Sequence, residues 1–127
     1  MGFLLLLLYM VLLGFGAMIS PGVGFFGGIV MMLPYATPDW LHAPAYGLLT
    51  WLLTNGFCRR GWPLRYALST AMAGAMVFGI WMEVFQGLVP GRFLSIDDVV
   101  MNAVGVGTAS VLLLWQGTGN AREQSSV

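Results

Sequence analysis

Four apolar segments, each close to the length needed to cross a bilayer, limit what this chain of 127 residues can fold into. A transmembrane α-helix needs about 20 mostly apolar residues, and inside the bilayer a helix satisfies its own backbone hydrogen bonds. We therefore predict an all-α, polytopic membrane protein with four transmembrane helices in one domain. The predicted spans are residues 2–20, 41–57, 66–88 and 96–115.

Composition favours the same class of protein. Hydrophobic residues make up 58% of the chain and charged residues only 8%, with a mean hydropathy of +0.84, whereas soluble domains contain about 25% charged residues. The net charge is zero, which gives no reason to expect nucleic acid as a partner. Cys58 is the only cysteine and cannot form an internal disulfide. Membrane lipid is therefore the expected surrounding and partner.

Two segments and one proline need separate predictions. Residues 21–38 are apolar but interrupted by glycines and Pro34, so we expect them to lie in the interface or to form a re-entrant turn. Residues 116–127 are polar and are expected to form a frayed tail. Pro44 is expected in the first turn of the second span, where a missing N–H is tolerated.

The arginines predict the orientation. Arg59, Arg60 and Arg65 cluster between the second and third spans and Arg122 lies in the tail, whereas the loop after the third span has only Arg92. Cytoplasmic loops carry an excess of Lys and Arg. We therefore predict that both termini and the arginine cluster are cytoplasmic. The start of the second span, the end of the third and the start of the fourth then lie at the outer face.

Polar residues concentrate at that outer face. Three pairs of them are spaced three or four residues apart, so each pair shares one helix face, and the least costly arrangement turns the three faces toward one another. Gly105 continues the third face and allows a neighbouring helix to approach closely. The predicted ligand-binding cluster is His42, Tyr46, Glu83, Gln86, Arg92, Asp98 and Asn102, with Asp39 and Asp97 nearby.

Glu83 is the most informative member of this cluster. It lies about 8–10 Å inside the predicted end of its span, at 1.5 Å per residue, and ionisable residues inside a membrane are rare and usually functional. Arg92 is the expected partner, because a guanidinium can hold a carboxylate bidentately. With that pair Glu83 stays ionised, and without it desolvation favours the protonated acid.

Structural roles are the alternative for several of these residues. Asp39 and Asp98 suit helix N-caps or partners of the helix dipole, and His42 suits a structural hydrogen bond as well as a proton carrier. A metal site is not expected, because the sequence offers one histidine and no paired cysteines. No cofactor is expected either. A less favoured alternative is that His42 ligates a pigment or haem of a larger complex. The residues identify no activated nucleophile, so catalytic residues are not assigned.

The stretch EVFQGLVPGRFLSIDDVVMNAVG resembles the signature of the VanZ-like membrane proteins. In that signature a Glu and a Gln three apart precede a Pro-Gly-Arg turn, and Asp, Asn and Gly follow at fixed intervals. A second family element, a His with a Tyr four residues later, is matched by His42 and Tyr46, but Pro38 and Asp39 stand near where the family often carries Asp-Lys. The matching positions of the signature are Glu83, Gln86, Pro90, Gly91, Arg92, Asp98, Asn102 and Gly105.

The resemblance implies a bacterial inner-membrane protein from a family linked to resistance to the glycopeptide teicoplanin. We therefore expect a polar pocket, open to the outer leaflet, that binds a lipid or another amphiphile. The alternative is a non-catalytic accessory subunit that binds other subunits of a larger membrane complex, which the missing Asp-Lys element favours. An enzyme acting on a lipid head group, with Glu83 or His42 as general base, ranks behind both.

Overall fold

The computed structural model describes residues 2–19, 24–32, 37–89 and 93–125. Within these ranges the chain forms five α-helices and no strand, which confirms the all-α prediction for the described part of the chain. The helices are α1 (Gly2–Ala17), α2 (Gly24–Met31), α3 (Thr37–Cys58), α4 (Leu64–Gln86) and α5 (Ile96–Ser125).

Helices α1, α3, α4 and α5 form a bundle. α3 packs most extensively against α5, and also contacts α4 and α1. Tyr46 and Leu49 of α3 meet Ala75 of α4 and Val106 of α5 in the core. α1 is attached to α3 by the Tyr9 hydroxyl, which donates a hydrogen bond to the carbonyl oxygen of Ala45 at 2.7 Å. α3 and α5 run in one direction and α4 in the other, so the starts of α3 and α5 lie beside the end of α4.

The glycine-rich segment after α1 contains the short helix α2. It has eight residues and begins at Gly24, whose φ of +69° is readily adopted only by glycine. Phe26 of α2 meets Phe15 of α1 edge to face, with ring centroids 6.3 Å apart. At 1.5 Å per residue α2 is about 12 Å long, well below the ~30 Å of a hydrocarbon core. α2 is therefore too short to cross a bilayer.

α3 begins earlier than predicted, at Thr37 rather than near residue 41. Pro44 consequently lies two turns inside the helix, and the prediction that it occupies the first turn was wrong. Pro38 occupies the first turn instead. A proline is tolerated there, because an N–H at that position would have no partner within the helix. The helix extends over Pro44 without ending there.

α5 continues through the segment predicted to be a frayed tail and ends at Ser125. That segment is polar but contains no proline, which is the strongest helix breaker. Its last residues favour helix. They extend a helix that the core packing of the preceding turns has already nucleated. The helix-favouring residues in it are Ala121, Arg122, Glu123 and Gln124.

α3 and α5 approach each other most closely at Gly105. A Cβ on Gly105 would collide with the carbonyl oxygen of Ala43, and a Cβ on Gly47 would lie 3.2 Å from the carbonyl oxygen of Gly105. The prediction that Gly105 allows a close helix approach is confirmed. Only hydrogen fits at this position without a shift of one helix.

The bundle is apolar on its outside and partly polar inside. Each helix exposes large hydrophobic side chains, such as Leu4 on α1 at 74%, Val77 on α4 at 58% and Val111 on α5 at 67%. Buried Thr50 and Thr54 donate hydrogen bonds to backbone oxygens of their own helix at 2.9 and 2.8 Å. An apolar exterior over a polar interior suits lipid better than water as the surrounding medium.

Among the described residues, two stretches are long and apolar enough to cross a membrane, α4 and the Ile96–Gly117 part of α5. Only 28% and 33% of these stretches is buried inside the protein. Apolar helices that are mostly exposed fit membrane spans better than the core of a soluble protein, where such helices are buried. The apolar part of α1, Leu4–Ala17, is shorter than either of these two stretches.

Candidate functional site

Three helix ends bring three ionisable side chains together at one end of the bundle. A ring nitrogen of His42 on α3 and carboxylate oxygens of Glu83 on α4 and Asp98 on α5 all lie within 4.8 Å of one another. Glu83 is 2% exposed and Asp98 4%, while His42 is partly buried. We call these three residues the polar triad. The three polar faces predicted from sequence spacing therefore do face one another.

The start of α5 holds Glu83 in place. The backbone N–H of Ser95 donates a hydrogen bond to Glu83 Oε2 at 3.0 Å. This bond joins the last turn of α4 to the residue that precedes α5, and it directs one carboxylate oxygen toward the connection between the two helices. Arg92, the predicted partner of Glu83, lies outside the described residues, so that ion pair stays a prediction.

Ser95 is the N-cap of α5. Its Oγ accepts a hydrogen bond from the Asp98 N–H at 3.3 Å, which is the usual bond from an N-cap side chain to the third helical residue. In a capping box, the acidic side chain at that third position would accept the N–H of the cap residue. Here Glu83 accepts it instead, and the Asp98 carboxylate lies beside His42. The alternative that Asp98 is itself the N-cap was therefore wrong.

His42 lies between Asp98 and a buried tyrosine. Its Nδ1 is 3.7 Å from Asp98 Oδ1, a distance at which a carboxylate attracts an imidazolium but longer than a good hydrogen bond. Its ring stacks on Tyr46, with centroids 6.3 Å apart and planes at 11°. Because Tyr46 is only 3% exposed, its fixed ring helps to set the orientation of the imidazole.

Asn102 lies one turn after Asp98 on α5 and Gln86 one turn after Glu83 on α4, and each is 1% exposed. No residue in the described part of the chain donates a hydrogen bond to Asn102 Oδ1. Gly79 provides the space that Asn102 needs, because a Cβ there would lie 2.7 Å from Asn102 Nδ2 and 3.0 Å from the Tyr46 ring. Asn102 and Tyr46 are thus packed tightly against α4 at Gly79.

Some predicted residues stand apart from the cluster, and sequence reasoning missed others. Asp97 is exposed although Asp98 next to it is buried, and the side chain of Asp39 lies outside the described residues. Ser95 was missed, although its spacing to Asp98 is that of a capping box. Gly79 carried no such signal, because glycine is frequent in transmembrane helices.

An apolar groove of about 440 Å³ runs along α3 and α5 from Ala43 and Gly105 onward, and no residue of the polar triad lines it. At the triad end it is lined by Ala43, which follows His42 in the chain, and at the far end by Trp51 and Gln116. From Gly105 to Gln116 a helix rises about 16 Å. The groove is therefore long enough to hold a substantial part of an alkyl chain.

No protein-family model, curated protein or solved structure matches the chain. The VanZ-like resemblance therefore depends only on the signature residues and on the His42 and Tyr46 pair.

Proposed function

We propose that this chain is a multi-pass bacterial inner-membrane protein of the VanZ-like kind that binds a lipid or another amphiphile. The head group would lie at the polar triad and the tail in the adjoining groove. One observation carries this proposal: His42 of the polar triad directly precedes Ala43, at which the apolar groove begins. A mostly apolar cleft with a few convergent polar groups is the usual form of a small-molecule site.

The outward-facing hydrophobic residues support the membrane part of the proposal. We propose that α1, α3, α4 and α5 are the four spans and that α2 lies at the outer interface. Arg59, Arg60 and Arg65 are exposed at the connection between α3 and α4, at the opposite end of the bundle from the triad. The positive-inside rule then puts the triad at the outer leaflet. A lipid-linked cell-wall precursor or a lipoglycopeptide would be met there.

The chemistry of the cluster suggests which head groups suit it. Carboxylate and amide oxygens accept hydrogen bonds, and the triad contributes two carboxylates and Asn102 one amide oxygen. Hydroxyl groups, as on a sugar, would donate to these oxygens. Arg92, close to the triad in the sequence, would add a donor for an anionic group if it pairs as predicted.

The test is native purification in a mild detergent, with mass spectrometry of the lipids and proteins that remain bound. We expect one defined amphiphile in the wild type and a severalfold loss in Ala109→Phe, because Ala109 lines the groove. Ala103→Phe is the control, since Ala103 lies on the same helix, is exposed and does not line the groove. Equal lipid content in all three proteins would contradict the proposal. Stoichiometric protein partners without a defined lipid would favour the accessory-subunit alternative.

A further inference from the structure

We propose that the polar triad binds one divalent transition-metal ion, such as Zn²⁺ or Mn²⁺. The ligands would be a ring nitrogen of His42 and one carboxylate oxygen each from Glu83 and Asp98. The sequence alone argued against a metal, because it offers a single histidine. The fold changes that argument, because it brings this histidine to two carboxylates from two other helices.

The distances suit a site that closes slightly around an ion. The three candidate ligand atoms lie within 4.8 Å of one another, and His42 Nδ1 is 3.7 Å from Asp98 Oδ1. Bonds of about 2.0–2.2 Å to nitrogen and oxygen place neighbouring ligand atoms roughly 3.0–3.5 Å apart. Side-chain rotations that shorten these separations by up to about 1–2 Å would therefore complete the site.

The donor set and its charge also fit a divalent cation. Imidazole suits Zn²⁺ and related ions, and carboxylates suit Mn²⁺ as well as Zn²⁺. Two ionised carboxylates and a neutral imidazole carry two negative charges, which a divalent ion balances. Three protein ligands that leave a position for water or substrate are the arrangement found in catalytic zinc sites.

A second observation at the same place comes from Asn102, whose carboxamide oxygen is buried. Asn102 lies one turn after Asp98 on α5 and is 1% exposed, and no described residue donates a hydrogen bond to its Oδ1. A buried acceptor of this kind calls for a partner. A metal ion, or a water bound to one, would satisfy it. Asn102 is therefore the candidate fourth ligand or water-binding group.

The metal proposal does not depend on the lipid proposal, although both concern the same cluster. Bound metal is measured by elemental analysis and bound lipid by mass spectrometry, so each proposal can fail alone. If both hold, the open position of the ion would accept an oxygen of a phosphate or hydroxyl head group.

The experiment uses the full chain, purified without a histidine tag, stripped with a chelator and titrated with Zn²⁺ and Mn²⁺. We expect one bound ion per chain by elemental analysis. Because loss of an outer-shell partner alone weakens metal sites about 10–100-fold, Glu83→Gln and Asp98→Asn should weaken binding by at least about a hundredfold. Asp97→Asn is the matched control, since Asp97 is an exposed acid in the same turn as Asp98, and it should bind as the wild type does.

A spectroscopic measurement on the wild type avoids any doubt about the folding of variants. In electron paramagnetic resonance, Cu²⁺ or Mn²⁺ bound at the triad should show hyperfine coupling to one imidazole nitrogen. His42 is the only histidine in the chain, so that signal identifies the ligand. Substoichiometric binding, a bound ion without the nitrogen coupling, or equal weakening by Asp97→Asn would overturn the proposal.

Discussion

The backbone N–H of Ser95 donates a hydrogen bond to Glu83 Oε2 at 3.0 Å, and so joins the first residue before α5 to the last turn of α4. The buried carboxylate thus has a structural contact as well as a place in the polar triad. Variants of Glu83 can separate these two roles, because glutamine keeps an oxygen acceptor and alanine does not.

Glu83→Ala should lower the free energy of unfolding by about 1–3 kcal/mol more than Glu83→Gln, because alanine leaves the Ser95 N–H without its acceptor. The measurement is unfolding in mixed micelles with increasing SDS. Hydrogen exchange of the Ser95 amide should speed up in the alanine variant alone. Identical stability and exchange in the two variants would show that this hydrogen bond contributes little.

Gly105→Ala should destabilise the bundle, because the added methyl group would collide with the carbonyl oxygen of Ala43. Overpacking of this kind costs about 1–3 kcal/mol. Gly107→Ala is the matched control, since no atom lies within 4 Å of the Cβ it would add. That variant should be neutral or more stable by up to about 1 kcal/mol, because alanine favours helix over glycine. Equal effects of the two substitutions would contradict the observed approach of α3 and α5.

Tyr9→Phe should cost about 0.5–1.5 kcal/mol of stability, because it removes the hydrogen bond to the carbonyl oxygen of Ala45. This bond is one of the direct links between α1 and α3. Tyr66→Phe serves as control, since Tyr66 is 54% exposed at the start of α4, and it should leave stability unchanged. Both are measured by the same SDS titration, and a Tyr9→Phe protein as stable as the control would mean that α1 is held by apolar packing alone.

The proposed orientation predicts which cysteines an impermeant thiol reagent reaches in intact cells. In a Cys58→Ser background, Asp97→Cys should react from outside and Trp62→Cys only after the cells are broken. Both positions are exposed, at 44% for Trp62, and they lie at opposite ends of the bundle. The reverse pattern would place the polar triad at the cytoplasmic face.

The family resemblance predicts an effect on teicoplanin tolerance in a susceptible host. If the chain confers tolerance, Glu83→Gln should abolish it and Asp97→Asn should preserve it, because Glu83 is buried in the polar cluster and Asp97 is exposed. Immunoblots of membrane fractions check that both variants insert. Tolerance that survives Glu83→Gln would count against a role of this cluster in binding the drug or its target.

The facing polar pairs could be predicted because residues three or four apart share a helix face and buried polar groups seek one another. The same spacing argument anticipated the close approach at Gly105. Gly79 could not be found in this way, because its role depends on contacts with two other helices, whereas the capping-box spacing of Ser95 to Asp98 was a local signal that was overlooked. The helical course of residues 116–125 was missed because polarity was taken to mean fraying, whereas a helix already nucleated by packing continues through polar residues.

The contact between Gly105 and Ala43 lies between the polar triad and the apolar groove. α3 and α5 pack along much of their length and are closest here, so a tilt of one helix against the other would turn about this contact. Any tilt of α5 against α3 that widens the triad would therefore narrow the groove, and a long tail wedged into the groove would press His42 and Asp98 together. The backbone contact would in this way let the length of a bound tail influence how tightly the head-group end closes.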